Sequence, residues 1–281
     1  MLSLDKAIEE VKSNFTLPSP PDLLIHARQI CESDDPSLLD LADLISGDLG
    51  LSSAILRTIN SPLYGMHRQI SDVRQATMLL GLEASSALIA SVLIQQSFVG
   101  ASAINFERFW DESQRVGSAM VFIGGSIKDK VPSEALYTTG LFHHCGIAAM
   151  SIRYRDTYLD CLKAANADPE LDLTIYEDRR YKTTHAVVGY LVGNTWRLPR
   201  NICKVILCHH DIEFFKFSQS TEGNLIMATL KIAENIVSSV FSGRDECGWQ
   251  EYKDIYLDQL GIDMNDYLDL RDDLEHLWND I

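Results

Sequence analysis

Apolar residues recur three or four positions apart along most of the chain, and this spacing predicts helices nearly everywhere. Ser37 is placed to cap a helix at 38–45, and Gly47 is placed to end that helix in the left-handed conformation. Gly81 closes a further helix that begins at Val73. The other predicted helices span 49–59, 82–98, 106–130, 134–151, 158–167, 173–196, 200–211, 225–241 and 265–278.

Alternating polar and apolar runs, which are typical of strands, are scarce in this sequence. Prolines and glycines fall mostly between the predicted helices, and no Ser/Gly-rich linker marks a domain boundary. The pattern therefore predicts an all-α fold, a multi-helix bundle with two helical lobes that divide near residue 100.

The composition narrows the class of protein. Hydrophobic residues make up 46% of the 281, which excludes an intrinsically disordered chain. No apolar run approaches the roughly 18–20 residues that span a bilayer, and the first residues lack the pattern of a secretory signal. We expect a cytoplasmic protein that does not bind a membrane.

The charge is strongly negative and is concentrated at one end of the chain. Asp and Glu total 40 against 24 Lys and Arg, a formal net charge of −16. Such a balance argues against binding of nucleic acid through its phosphates, because that contact requires a basic face. The acids near the C-terminus are interleaved with apolar residues at helical spacing, among them Leu270, Leu274 and Trp278. We expect residues 242–281 to form an acidic amphipathic helical extension that packs on the core.

The candidate chemistry lies mainly in histidines. Five of the eight fall into three tight sites in apolar surroundings, and Glu234 is placed to add a carboxylate; the five are His143, His144, His185, His209 and His210. Neutral imidazoles from several helices converge into metal sites in helical bundles. The competing interpretation is that these are hydrogen-bonded core histidines. Cys145 beside His144 leaves a similar choice between a nucleophile and a small buried apolar residue.

The order of these residues resembles the HDOD family, the output-domain form of the HD phosphohydrolase superfamily. The resemblance includes the histidine pair at 143–144, His185 with Gly189, the Trp-Arg-Leu-Pro stretch at 196–199, and the pair at 209–210. The stretch Leu-Gly-Leu-Ser-Ser-Ala-Ile-Leu-Arg-Thr-Ile-Asn-Ser-Pro-Leu-Tyr-Gly at 49–65 is similar to the most specific segment of that family. The match runs from about 15 to about 212 and continues more weakly to 241, so the expected HDOD-like domain is 1–241.

The resemblance implies a bacterial signalling module that is related to metal-dependent phosphohydrolases. Carried onto this chain, His143 stands where the superfamily has the His of its His-Asp doublet, and His144 replaces the Asp. Glu234 lies near the distal Asp position, and the upstream His is replaced around Glu112 or Ser113. His185 and the pair at 209–210 match histidines of the cyclic-dinucleotide phosphodiesterase branch, whose following Gly-Tyr-Pro is absent here.

The replaced doublet favours a scaffold over an enzyme. Without the Asp, the site loses an anionic ligand that bridges metals, and histidines favour Zn²⁺, Fe²⁺, Ni²⁺ or Mn²⁺ over Mg²⁺. We therefore expect an output or scaffold module that contacts a signalling protein partner or a second copy of itself. The alternatives are a phosphohydrolase acting on a nucleotide or cyclic dinucleotide, and a small-ligand sensor without turnover.

A candidate binding loop follows the predicted helix at 49–59. Asn60 is expected to end that helix in the left-handed conformation, Pro62 to hold Ser61 extended, and Gly65 to permit positive φ. The loop, with Asn60, Ser61 and Tyr64 as its candidate contacts, is interpreted either as a rigid turn between helices or as a recognition site.

Overall fold

Helices make up the regular structure of this chain. The computed structural model describes residues 15, 20–60, 68–128, 131–168, 171–218 and 220–279, and within these ranges no residue lies in a strand. This confirms the all-α prediction. The helices are α1 (Asp22–Cys31), α2 (Leu38–Ser46), α3 (Leu49–Ile59), α4 (Val73–Ser97), α5 (Phe106–Ser126), α6 (Ser133–Phe142), α7 (Cys145–Arg153), α8 (Tyr158–Asn166), α9 (Leu173–Tyr181), α10 (His185–Thr195), α11 (Arg200–Cys208), α12 (Phe214–Phe217), α13 (Thr221–Ser242), α14 (Trp249–Leu260) and α15 (Met264–Asn279).

The chain divides into two compact units, with a boundary between residues 99 and 100. The sequence predicts a division at this point. The smaller unit, 18–99, contains α1 to α4 and has its own core, in which Leu24, Leu41, Ile45, Leu51 and Ile55 are fully buried. Apolar side chains at helical spacing therefore line one interior of this unit.

Helix α13 is central to the core of the larger unit. Most of its residues are buried, including Leu230, Ile232 and Ile236. Helices α5 and α6 meet closely because Gly117 and Gly140 face each other, and a Cβ atom on Gly140 would lie 2.5 Å from the Gly117 Cα. This close approach brings the end of α6 next to α13.

The C-terminal helices α14 and α15 pack on the same core. Trp249, Tyr256, Tyr267, Leu270 and Leu274 are all buried and belong to one cluster with α13. The acidic residues between them are mostly exposed. Apolar spacing therefore outweighs net charge in setting the structure of this segment.

Several predicted helix boundaries are wrong. The predicted helix 134–151 is broken at residues 143–144, and the predicted helix 173–196 is broken at 182–184. The sequence pattern also missed α1 and α12. Gly47 has a right-handed φ of −74°, whereas Gly81, with φ 79°, does interrupt α4 as expected.

Among the described residues, two helices are long and apolar enough to cross a membrane by length and composition, which corrects the expectation that no segment reaches that length. They are α4 and α13. Gly81 interrupts α4, and 67% of the apolar window of α13 is buried inside the protein. Core helices of soluble proteins satisfy the same test, so this finding is consistent with a soluble protein.

Candidate metal centre

The candidate histidines lie at helix ends. His143 caps the C-terminal end of α6 and His144 directly precedes α7, so both rings extend from one junction between helices. His185 is the first residue of α10, whereas His209 caps the C-terminal end of α11 and His210 follows it. All five imidazoles therefore come from helix ends, not from one continuous helical stripe.

Two glycines bring α7 and α10 into backbone contact beside these histidines. A Cβ atom on Gly146 would lie 1.9 Å from the His185 carbonyl oxygen and 2.7 Å from the Gly189 amide nitrogen. Only a residue without a side chain permits this approach. The contact places the rings of His144 and His185 with their centroids 5.3 Å apart.

The Nε2 atoms of three histidines converge on one small volume. Nε2 of His185 lies 2.9 Å from Nε2 of His210 and 3.3 Å from Nε2 of His209. His144 completes a group of four whose ligand atoms all lie within 4.8 Å of one another. The structure thus brings together four of the five histidines that the sequence singles out, and the fifth lies beside them.

Hydrogen bonds indicate which nitrogen of each ring carries the proton. Nδ1 of His185 lies 2.8 Å from Glu177 Oε2, and Nδ1 of His210 lies 2.7 Å from Asp172 Oδ2. Nδ1 of His209 lies 2.7 Å from the backbone carbonyl oxygen three residues earlier. These oxygens only accept, so we infer that each Nδ1 donates and that each neutral ring keeps a lone pair on Nε2. In the metal-free chain, the 2.9 Å contact between Nε2 of His185 and Nε2 of His210 holds one proton, which the raised pKa of His185 favours. When that proton leaves, three lone pairs face one another and form the donor set of a metal ion.

His143 and Glu234 form a second donor group with His144, within the same 4.8 Å limit. Nδ1 of His143 lies 2.7 Å from the carbonyl oxygen three residues earlier, so its Nε2 also keeps a lone pair. That Nε2 is buried and lies 3.2 Å from Glu234 Oε1 without a well-directed hydrogen bond. Lys231 Nζ, at 2.7 Å, holds the other oxygen of Glu234. A cation between His143 and Glu234 would satisfy both.

Burial keeps most of the cluster in the neutral form that a metal requires. Loss of solvent and the neighbouring imidazoles lower the pKa of His144 and His209 well below the ordinary value of 6.5. Burial also lowers the pKa of His210, although Asp172 opposes the shift. The pKa of His185 is raised despite burial, because the Glu177 carboxylate stabilises its protonated form.

The charges around the cluster also fit a divalent cation. Asp172, Glu177 and Glu234 supply three carboxylates, and Lys231 supplies one ammonium. With neutral histidines this leaves two negative charges uncompensated in a largely buried region, which is costly. Imidazole donors suit Zn²⁺, Fe²⁺, Ni²⁺ and Mn²⁺ better than they suit Mg²⁺ or Ca²⁺.

The candidate binding loop is described only at Asn60, which lies in the smaller unit; Ser61 and Tyr64 lie outside the described residues. Asn60 has φ −87° and ψ 0°, so the predicted left-handed conformation is wrong. Its side chain instead donates to the carbonyl oxygens of Leu56 and Ile70 at 2.8 and 2.7 Å, and accepts from the Ile70 amide at 2.7 Å. These bonds give Asn60 a structural role at the end of α3, and the choice between a rigid turn and a recognition site stays a prediction.

Cys145 is fully buried, and its Sγ lies 3.8 Å from the Gly189 carbonyl oxygen. Burial raises the pKa of its thiol far above the ordinary value of 9.0. Because the thiolate is the nucleophile, this environment favours a packing role.

Sequence reasoning missed the residues that support the ligands. Asp172, Glu177 and Lys231 carry no motif, although Asp172 is recognisable as the N-cap of α9. Glu112, which the resemblance brought forward, is exposed and belongs to neither donor group.

Comparisons with known proteins agree with this architecture. A protein described only as uncharacterized, from Treponema pallidum, is 24% identical over 205 residues; the match covers 70% of this chain and 38% of that protein. A signal transduction protein, so named provisionally, from Marinobacter aquaeolei VT8 superposes with TM-score 0.74 at 14% identity over 96% of this chain and 61% of that one. A candidate metal-dependent phosphohydrolase from Shewanella amazonensis SB2B gives TM-score 0.67 at 18% identity over 98% and 97%.

The family itself is established by a sequence match over most of the chain. The profile of the HDOD domain matches residues 17–212. These residues include α3 and α4, the helices on either side of Asn60, and every histidine of the cluster. The chain therefore belongs to the HDOD domain family.

Proposed function

We propose that this chain is a signal-transduction module that acts through protein–protein contacts. In this proposal, its histidine cluster holds a divalent transition metal as a structural centre and does not turn over a phosphoester. The family membership and the fold shared with a named signal transduction protein support the signalling role. A signalling protein and a second copy of this chain are the partners that it would contact.

The proposal that the centre is not catalytic rests on one observation, the group of four metal donors formed by His144, His185, His209 and His210. We call this group the quartet. Four protein ligands fill the tetrahedral coordination that Zn²⁺ adopts in structural sites. Catalytic zinc sites have three protein ligands and keep the fourth position for water. With all four imidazoles on one ion, no position remains for the water that hydrolysis requires.

The ligands of this centre would join three separate parts of the larger unit. His144 comes from the α6–α7 junction, His185 from the start of α10, and the remaining two histidines from the end of α11. When bound, the metal would supply charge compensation and a cross-link between these helices. The four histidines of the chain would hold the metal.

A second candidate, phosphohydrolase activity, is favoured by one specific observation. The group of His143, His144 and Glu234 adjoins the quartet and shares His144 with it. Two adjacent donor groups are what a two-metal hydrolytic site requires, because one ion activates water while the other stabilises the leaving oxygen. Against this, Lys231 already holds one Glu234 oxygen at 2.7 Å.

Activity assays on metal-loaded protein separate the two candidates. Purified chain, loaded with Mn²⁺ or with Fe²⁺ under anaerobic conditions, is given bis-(p-nitrophenyl) phosphate or a cyclic dinucleotide. The proposal predicts no release of product above the rate of the His209→Ala variant. Turnover at about 1 s⁻¹ or faster that disappears in that variant would establish the hydrolase instead.

A further inference from the structure

One short helix contacts two of the metal-site histidines through carboxylates. Asp172, the N-cap of α9, accepts at Oδ2 from Nδ1 of His210 at 2.7 Å. Glu177, in the second turn of α9, accepts at Oε2 from Nδ1 of His185 at 2.8 Å. The two histidines in turn bring their Nε2 atoms within 2.9 Å of each other.

Each carboxylate is itself fixed by further hydrogen bonds. Oδ1 of Asp172 accepts from the amide and the hydroxyl of Thr174 at 2.8 and 2.6 Å, so only Oδ2 serves His210. Oε2 of Glu177 also accepts from the backbone amide of His185 at 2.8 Å, and Oε1 accepts from the Tyr158 hydroxyl. Tyr158, Glu177 and His185 are completely buried, so these bonds do not compete with bulk water.

We propose that Asp172 and Glu177 are positioning residues, which fix the tautomer and ring orientation of His210 and His185 and so aim both Nε2 atoms at one metal ion. This inference rests on the proposed metal centre. A carboxylate that accepts from Nδ1–H leaves the lone pair on Nε2, where a metal binds. Mutation of such a supporting partner typically lowers metal affinity 10–100-fold.

Asp172→Asn separates positioning from folding. The remaining amide oxygen still caps α9 at Thr174, since Asn is as good an N-cap as Asp. The new amide group donates where the carboxylate accepted, and therefore favours the His210 tautomer that carries its proton on Nε2. That tautomer has no lone pair for a metal, so we expect Zn²⁺ affinity to fall about 10–100-fold while the helical circular dichroism is unchanged.

Glu177→Gln tests the second histidine by the same logic, and Tyr158→Phe tests the anchor of that carboxylate. We expect Glu177→Gln to lose about 10–100-fold in Zn²⁺ affinity and Tyr158→Phe to lose less, in the same direction. Asp178→Asn is the matched control, because Asp178 is an exposed carboxylate on the same helix. It should bind Zn²⁺ as the natural chain does.

The measurement is competition for Zn²⁺ against a chromophoric chelator, with the visible spectrum of bound Co²⁺ as a second readout. The proposal predicts weaker Zn²⁺ binding and a changed Co²⁺ spectrum in Asp172→Asn, but neither change in Asp178→Asn. If Asp172→Asn and Tyr158→Phe fold and bind both ions as the natural chain does, the positioning role is wrong although the metal centre stands. If the natural chain itself binds neither ion, the metal centre and this inference are both wrong.

Discussion

At the scale of single residues, protonation of the clustered histidines couples the geometry of the candidate metal site to stability. His144, His209 and His210 have pKa values below 6.5 in the folded chain, whereas the same residues titrate near 6.5 when unfolded. Below pH 6.5 the unfolded chain therefore binds more protons at these residues than the folded chain does. The pKa of His185 is raised in the folded chain. Its proton therefore stabilises the fold below pH 6.5, and this contribution is lost as the pH rises through the folded pKa.

Acidification should therefore destabilise the metal-free protein. Between pH 7 and pH 5.5 we expect the free energy of unfolding to fall by more than about 1 kcal/mol, since each proton of difference contributes about 1.4 kcal/mol per pH unit. Urea denaturation in chelator-treated buffer measures this, and His209→Ala should show a shallower dependence. A stability that is flat or rises on acidification across this range would contradict the lowered pKa values of His144, His209 and His210.

Asn60 makes a second prediction at this scale. Its side chain makes three hydrogen bonds of 2.7–2.8 Å to Leu56 and Ile70, which tie the end of α3 to the segment before α4. At about 0.5–1.5 kcal/mol for each bond, Asn60→Ala should lower the free energy of unfolding by about 2 kcal/mol. Asn194→Ala, which removes one exposed bond within α10, is the control and should change it by less than about 0.5 kcal/mol.

Chemical denaturation measures both asparagine variants. A loss confined to partner binding, with stability unchanged in Asn60→Ala, would instead make this loop a recognition site. The sequence correctly marked Asn60 as a helix-ending residue. It could not show that the side chain reaches ten residues ahead to Ile70, because that contact depends on the return path of the chain.

At the scale of helices, the contact between α7 and α10 determines how close His144 and His185 lie to each other. The sequence shows glycines at 146 and 189, but it does not show that the two helices cross there with their backbones touching. Apolar periodicity also continues across the breaks at 143–144 and 182–184, since buried residues flank both. The sequence could therefore locate the histidines but not the helix ends from which they extend.

Gly146→Ala tests this crossing. The new methyl group would overlap the His185 carbonyl oxygen at 1.9 Å, which is backbone that cannot move aside alone. We expect a loss of about 1–3 kcal/mol in the free energy of unfolding, together with weaker Zn²⁺ binding. Gly125→Ala in α5 meets no atom within 4 Å and should be neutral or stabilising. Equal stability of the two variants would refute the close crossing.

At the scale of the whole molecule, the acidic extension is continuous with the core of the larger unit. Asn235 in α13 donates to the Tyr267 hydroxyl at 2.8 Å and accepts from the Glu246 amide at 2.8 Å. Trp249 lies against Tyr267, with ring centroids 5.0 Å apart. Net charge alone suggests a solvated tail, whereas these buried bonds and rings join it to α13.

Deletion of residues 245–281 should therefore expose the apolar face of α13. Loss of several large buried side chains, each contributing about 1.5–3 kcal/mol, predicts poor solubility or a much lower unfolding midpoint. As a control, Asp273→Asn and Glu275→Gln change only exposed charges and should alter stability by less than about 0.5 kcal/mol. A truncated chain that stays soluble and unfolds as the full chain does would show that the extension is not part of the core.

The candidate metal site as a whole was only partly predictable. Histidine side chains are rare on apolar helices, so His143, His185 and His209 were visible in the sequence. Asp172 and Glu177 were not, because Asp172 has the pattern of an ordinary N-cap and Glu177 stands in the sequence beside the charged residues 178–180, from which no local pattern distinguishes it. Their roles follow from which face of α9 meets α10, and no local pattern determines that.

Calorimetric titration of Zn²⁺ into the metal-free chain tests the central claim most directly, with His209→Ala and the exposed His276→Ala as paired variants. The account predicts one equivalent of Zn²⁺ bound per chain, with release of a proton as His185, whose pKa is raised, becomes a ligand. It also predicts that His209→Ala binds Zn²⁺ more than roughly 100-fold more weakly, since loss of a supporting partner alone lowers metal affinity 10–100-fold. Binding by His276→Ala should be unchanged. No binding, or equal binding by both variants, would contradict it.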